Sequence, residues 1–110
     1  MHRPQRTDKP RDRSANKLEE LAFVKSKLLL AGFTLYDIDR RYYLPRGTAG
    51  TTLREPNMAG EQAIAAALGT KAHLLWPSRY WPSGQRRSPQ PRENYERPPT
   101  MRQRQKAARV

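Results

Sequence analysis

Apolar residues in the middle of the chain recur at three- and four-residue spacing, in short runs cut by glycine or proline. Leu18, Leu21, Val24, Leu28 and Ala31 fall on one helical stripe. Asn16, with Glu19 three positions on, has the form of a capping box, and Gly32 is the expected stop; together they predict a first helix. Thr34, with Asp37 as reciprocal partner, caps a second and shorter one. In it Leu35, Ile38 and Tyr42 face inward, while Arg40 and Arg41 face solvent. Tyr43-Leu44-Pro45 then breaks the pattern. A third helix is predicted over about 45–54, because proline suits a first helical turn. Ala49 and Leu53 point to its core side; Arg46, Gly47, Thr48, Gly50, Thr51 and Arg54 make up the rest of its surface. As a free helix this segment is poor, since each glycine costs ~1 kcal/mol against alanine. A fourth helix, 59–68, buries Ala63, Ile64, Ala67 and Leu68 and stops at Gly69. Thr70 is read as the cap of a last short turn, 71–76, which Pro77 ends. Five short helices with tight links predict a small all-α domain.

Composition changes at both flanks. Residues 1–13 carry five basic and two acidic groups; residues 81–110 carry eight and two, with half of the ten prolines. Missing donors and mutual repulsion predict disordered basic arms at 1–13 and 83–110 around a domain at 14–82. The whole chain sets 22 Lys+Arg against 10 Asp+Glu, a formal charge of +12, which favours polyanions such as DNA, RNA or anionic lipid. Charge alone does not choose among them.

The remaining chemistry mostly excludes. Without cysteine there are no disulfides and no thiolate zinc sites, and His2 and His73 stand far apart in the sequence, so no metal and no cofactor is expected. No apolar run approaches the ~20 residues that span a bilayer, and nothing near Met1 reads as an export signal. A cytoplasmic, nucleoid-associated protein is expected, with no membrane partner. Asp37 and Asp39 lie two apart and point to different faces, and no nucleophile–base pair is visible. Neither an enzyme nor a small-molecule substrate is expected.

Helix, short turn, helix inside a small basic all-α domain reads as a DNA-binding helix-turn-helix. The stretch Gly60-Glu61-Gln62-Ala63-Ile64-Ala65-Ala66-Ala67-Leu68, with Trp76-Pro77-Ser78-Arg79-Tyr80 after it, resembles the Ner family of Mu-like phages and its bacterial Nlp relatives. The resemblance spans residues 34–80. It implies a lambda-repressor-like helix-turn-helix fold, regulation of transcription (often repression from a prophage), and a recognition helix at 45–54. Two positions depart from the usual helix-turn-helix pattern. Tyr43 stands where glycine is common, and is strained if that residue needs a positive φ. Asp39 stands at a small, tightly packed position, so that either the interhelical angle differs or the carboxylate lies at the edge of the packing.

On this reading Arg46 and Arg54 are candidates for guanine edges, and Thr48 and Thr51 for bases or a thymine methyl. Gly47 and Gly50 either permit close approach to DNA or only tight packing on the second helix. Thr34, Arg40, Arg41, Lys71 and Arg79 are candidate phosphate contacts. Trp76 and Tyr80 read as the lid of the core, and His73 as a surface residue. The expected partner is double-stranded DNA, with homo-oligomerisation on it open. Two rivals stand beside this reading: a non-specific RNA-binding or nucleoid-type protein acting through its basic arms, and a protein–protein adaptor.

Overall fold

The computed structural model describes residues 13–97 and 99–108, giving only the backbone at 13–15. Six α-helices follow in order: α1 (Arg13–Ala31), α2 (Leu35–Arg41), α3 (Thr48–Arg54), α4 (Met58–Leu68), α5 (Ala72–Leu75) and α6 (Met101–Ala108). Single 3-10 turns stand at Pro77–Arg79 and Arg92–Tyr95. Among the described residues there is no strand, only an isolated antiparallel bridge between Tyr80 and Arg86. The all-α expectation holds. No helix among them is long and apolar enough to cross a membrane.

The core is built from the positions the helical period marks. Val24 and Leu28 of α1, Ile38 of α2, Ala49 and Leu53 of α3, Ala63 and Ile64 of α4, and Leu75 and Trp76 around α5 form one buried cluster. Ala31, on the same stripe as Val24, is nevertheless exposed, because the helix ends there and the chain turns away. Asn16 caps nothing: α1 already runs through it from Arg13. Thr34 does cap α2, its hydroxyl accepting from the Asp37 N–H while the Asp37 carboxylate accepts from the Thr34 N–H. The cap of α4 is Asn57, whose side chain accepts from the Gly60 N–H. Thr70 is not the cap of α5; Lys71 holds that position without a side-chain bond.

Helices α3 and α4 meet at a point that requires glycine. A Cβ at Gly60 would lie 1.8 Å from the Thr52 hydroxyl oxygen, and Thr52 is fully buried with that hydroxyl donating to the Thr48 carbonyl. The small residue near the start of α4 is what lets the short α3 dock.

The largest departure from expectation is the tail. The 1–13 arm lies, but for helical Arg13, outside the described residues. Residues 83–97, by contrast, are no free arm. The Arg87 guanidinium and the Asn94 amide both donate to the Ser78 carbonyl, and the Gln90 amide donates to the Arg79 carbonyl at 3.0 Å. Lys17 of α1 donates to the Glu93 carbonyl, and Glu20 accepts from both the N–H and the hydroxyl of Ser78. This strap is held by polar side chains on backbone carbonyls, an attachment that hydrophobic periodicity does not register. Helix α6 differs again. Thr100 and Gln103 form a reciprocal cap, and every described residue of the helix is exposed.

Candidate nucleic-acid interface

The α2–turn–α3 unit is held by one carboxylate. Asp39 is buried, 6% exposed, and accepts from the Gly47 N–H and the Ala49 N–H, both at 2.8 Å. It sits neither at a loose edge nor in a clash. It supplies to α3, from the neighbouring helix, the side-chain cap that Gly47 itself cannot provide. Gly47 has φ 90, a left-handed conformation that a β-carbon disfavours. Helix α3 accordingly begins at Thr48, and not at Pro45. Pro45 and Arg46 lie in the turn, where the Pro45 carbonyl accepts from the N–H and the hydroxyl of Thr48.

Of the six residues expected to face bases, Arg46, Gly47 and Thr51 are exposed, while Arg54, Thr48 and Gly50 are half-buried. A Cβ at Gly50 would lie 3.9 Å from the Leu35 side chain, so this glycine faces α2 at ordinary contact distance. On α2, Arg40 stands over the Tyr36 ring at 5.5 Å, and Arg41 over Phe33 and Tyr42 at 5.8 Å. Both guanidiniums are exposed and partly oriented by these rings. Asp37 is held below the usual carboxylate range, chiefly by its hydrogen bonds with Thr34. Both carboxylates of the segment are thus turned onto backbone N–H groups, and Asp37 also feels the charge of Arg40 on the same helix.

Two expected phosphate contacts stand elsewhere. Lys71 is exposed at the start of α5. Arg79 is buried, 4% exposed, so it does not present a guanidinium to a phosphate. It donates to Glu61 at 3.2 Å and stacks on Trp76, with 5.0 Å from guanidinium carbon to ring centre. Glu61 is fully buried near the start of α4 and also receives Arg86 at 2.9 Å, the Tyr80 hydroxyl at 2.8 Å and the Asn57 N–H at 2.8 Å. Burial alone would raise its pKa; the donors from Arg86, Tyr80, Asn57 and Arg79 win and hold it below its ordinary value. Burial, and then the hydrogen bond to the Glu61 carboxylate, push the Tyr80 phenol up to about 12. The Glu and the Arg of the two stretches 60–68 and 76–80 are therefore one buried ion pair. Trp76 is wholly buried as expected, and His73 is half-buried, its ring 3.6 Å from where a Cβ on Gly84 would stand.

A short helix, a tight turn and a second helix capped from the first, with Arg40, Arg41 and Arg46 exposed along it, define a helix-turn-helix nucleic-acid-binding unit. Residues 20–93 match the family described as winged helix-turn-helix DNA-binding, well over half of the chain, and the protein belongs to that family. No curated protein and no solved structure matches it. The matched range runs to Glu93 and so takes in most of the strap. Of β-structure, the described residues after α5 carry only the Tyr80–Arg86 bridge, closed by the turn in which the Gly84 N–H donates to the Trp81 carbonyl.

Three participants are not legible as such in the sequence: Asp39 reads only as a misfit, Glu61 only as part of a motif, and Arg86 only as tail charge. For Glu61 a signal existed: a lone acid beside small residues in an apolar helix is rarely left without a cation.

Proposed function

We propose that the chain is a sequence-specific, double-stranded-DNA-binding regulator of transcription, of the phage or prophage repressor type that the Ner resemblance implies. The turn at 45–47 and α3 form the reading element. Arg46 and Arg54 address guanine O6 and N7, Thr48 and Thr51 address bases or a thymine methyl, and Gly47 and Gly50 keep the backbone close to the groove. Thr34, Arg40, Arg41 and Lys71 address phosphates and fix the register. Binding as more than one copy on a repeated half-site belongs to the same proposal. The observation that carries it is the capping of α3 by the buried Asp39, which fixes the turn bearing the exposed Arg46 and turns that carboxylate inward onto the Gly47 and Ala49 N–H groups.

The test is selection of bound duplexes from a random pool, then titration of the enriched sequence against a scrambled duplex. A defined motif, bound more tightly than the scramble by roughly a thousandfold or more, supports the reading. A pool that stays random while the protein still binds would replace it with sequence-blind binding. No retention of duplex at all would favour the adaptor.

A further inference from the structure

Three helices of this domain end with one hydrogen-bond pattern. After α1, the Gly32 N–H donates to Leu29 and the Phe33 N–H to Leu28; after α4, Gly69 donates to Ala66 and Thr70 to Ala65. After α2, Tyr43 donates to Arg40 and Leu44 to Asp39. The pattern needs a left-handed residue at its first donor, and the three φ values are 82, 67 and 56. Glycine fills it twice. The third time it is filled by a tyrosine, whose β-carbon makes that conformation costly.

The tyrosine returns nothing to the fold for this cost. Its side chain is 95% exposed, the most exposed of the large apolar residues described, so it packs on nothing. The backbone around it is nonetheless fixed, because Tyr42 and Leu44 on either side pack against the core. A strained residue held rigidly and fully outward, between exposed Arg40 and Arg41 on one side and Arg46 on the other, fits a contact with something outside the chain.

We propose that Tyr43 is a backbone contact to duplex DNA: its phenol hydroxyl donates to a phosphate oxygen and its ring lies against the adjoining deoxyribose. This rests on the DNA-binding reading above. A tyrosine is one of the neutral donors that suit a phosphate, and it differs from the arginines beside it in one measurable way. Being uncharged, it releases no counterion when it binds, so it adds affinity without adding salt dependence.

The experiment titrates wild type, Tyr43→Gly, Tyr43→Asn and Tyr43→Phe against a labelled random-sequence duplex and against one of its single strands, at three salt concentrations. Thermal melts of all four proteins run in parallel. Tyr43→Gly and Tyr43→Asn, both at home at positive φ, should melt no lower than wild type. They should bind duplex on the order of tenfold more weakly at every salt concentration, with the slope of log affinity against log salt unchanged. Tyr43→Phe, which keeps the ring and loses the donor, should fall between. Wild-type duplex affinity in Tyr43→Gly overturns the inference, as does a loss that appears only together with a lowered melting temperature. A loss confined to the single strand overturns it in favour of base stacking. If wild type itself fails to bind duplex, the DNA-binding proposal falls and takes this one with it; if wild type binds and the glycine variant binds equally, only Tyr43 is lost.

Discussion

Asp39→Ala removes the cap that α2 lends to α3, and its cost can be worked from the geometry. Two hydrogen bonds of 2.8 Å are lost, to the N–H groups of Gly47 and Ala49. Ala49 is wholly buried, so its N–H is left without water or partner, a loss of about 1–3 kcal/mol. Gly47 is exposed and its N–H rehydrates, so that share is nearer the ~1 kcal/mol of an ordinary lost cap. The sum is about 2–4 kcal/mol. In a domain of this size each kcal/mol moves Tm by roughly 4–8 °C, so the midpoint should fall by about 8–32 °C. Asp39→Asn keeps the shape and one acceptor but turns its NH2 toward a second donor, and should lose about half as much. Circular dichroism melts supply the midpoints. Binding to the selected duplex, measured well below them, should fall further than the folded fraction does, because the turn carrying Arg46 has lost its anchor. If Asp39→Ala melts within about 2 °C of wild type, the carboxylate does not cap α3 and the account of the turn is wrong.

Other perturbations check other links. Leu53→Ala, at a core position 3% exposed, should cost about 2–5 kcal/mol in a denaturant titration; an unchanged midpoint would mean α3 is not docked as described. Glu61→Gln leaves Arg79 buried without its charge partner and should cost about 3 kcal/mol near neutral pH. The carboxyl of Glu61 is held below its ordinary 4.5, so its contribution is complete above that pH and is lost as pH falls through the lower folded value. Wild type should therefore lose stability on acidification more steeply than Glu61→Gln, and parallel acid limbs would refute the assignment. Arg46→Ala, at an exposed position, should leave Tm unchanged, cost about 1–3 kcal/mol on the selected duplex and relax one base position; an unchanged ratio of selected to scrambled affinity would remove Arg46 from the reading element.

What the sequence discloses of this fold follows the kind of force involved. The helical stripes, the Thr34 cap and the glycine stops are set by short-range period and backbone chemistry, and α2 and α4 stand where those signals put them. Ala49 and Leu53 are core residues as their spacing requires. The misses are long-range and polar. Asp39 reaches Ala49 ten residues away, Glu61 reaches Arg79 and Arg86 across 18 and 25, and Asn94 reaches Ser78 across 16. No periodicity marks such pairs. A proline-rich basic segment therefore reads as an arm when the side chains of Arg86, Arg87, Gln90, Asn94 and Arg97 in fact tie it to the domain. Pro45 misled in the opposite direction, since it suits a first helical turn but here accepts, through its carbonyl, the bonds that start the helix three residues later.

The same distinction governs what the +12 charge means for binding. A cation already committed inside the fold neutralises no phosphate and so displaces no counterion from DNA. Arg79 and Arg86 are spent on Glu61, Arg97 pairs with Glu55 at 2.6 Å, and Arg87 lies over Trp81 with one nitrogen on the Ser78 carbonyl. Among the described residues, those near the helix-turn-helix that are exposed or half-buried include Arg40, Arg41, Arg46, Arg54 and Lys71, and beyond the strap stand the exposed Arg102, Arg104 and Lys106 of α6. Each phosphate neutralised adds roughly 0.9 to the steepness of log affinity against log salt. Replacing all three α6 cations by glutamine should therefore flatten the slope by up to roughly 2.7, and weaken selected and scrambled duplexes by the same factor, because those contacts are blind to sequence. Arg79→Gln should leave the slope where it was and lower Tm instead. Titration of the three proteins at several salt concentrations separates the two outcomes. A change in the selected-to-scrambled ratio on neutralising α6 would move specificity into the tail. A slope that falls with Arg79→Gln as it does for an interface arginine would mean that the Glu61 pair opens on DNA.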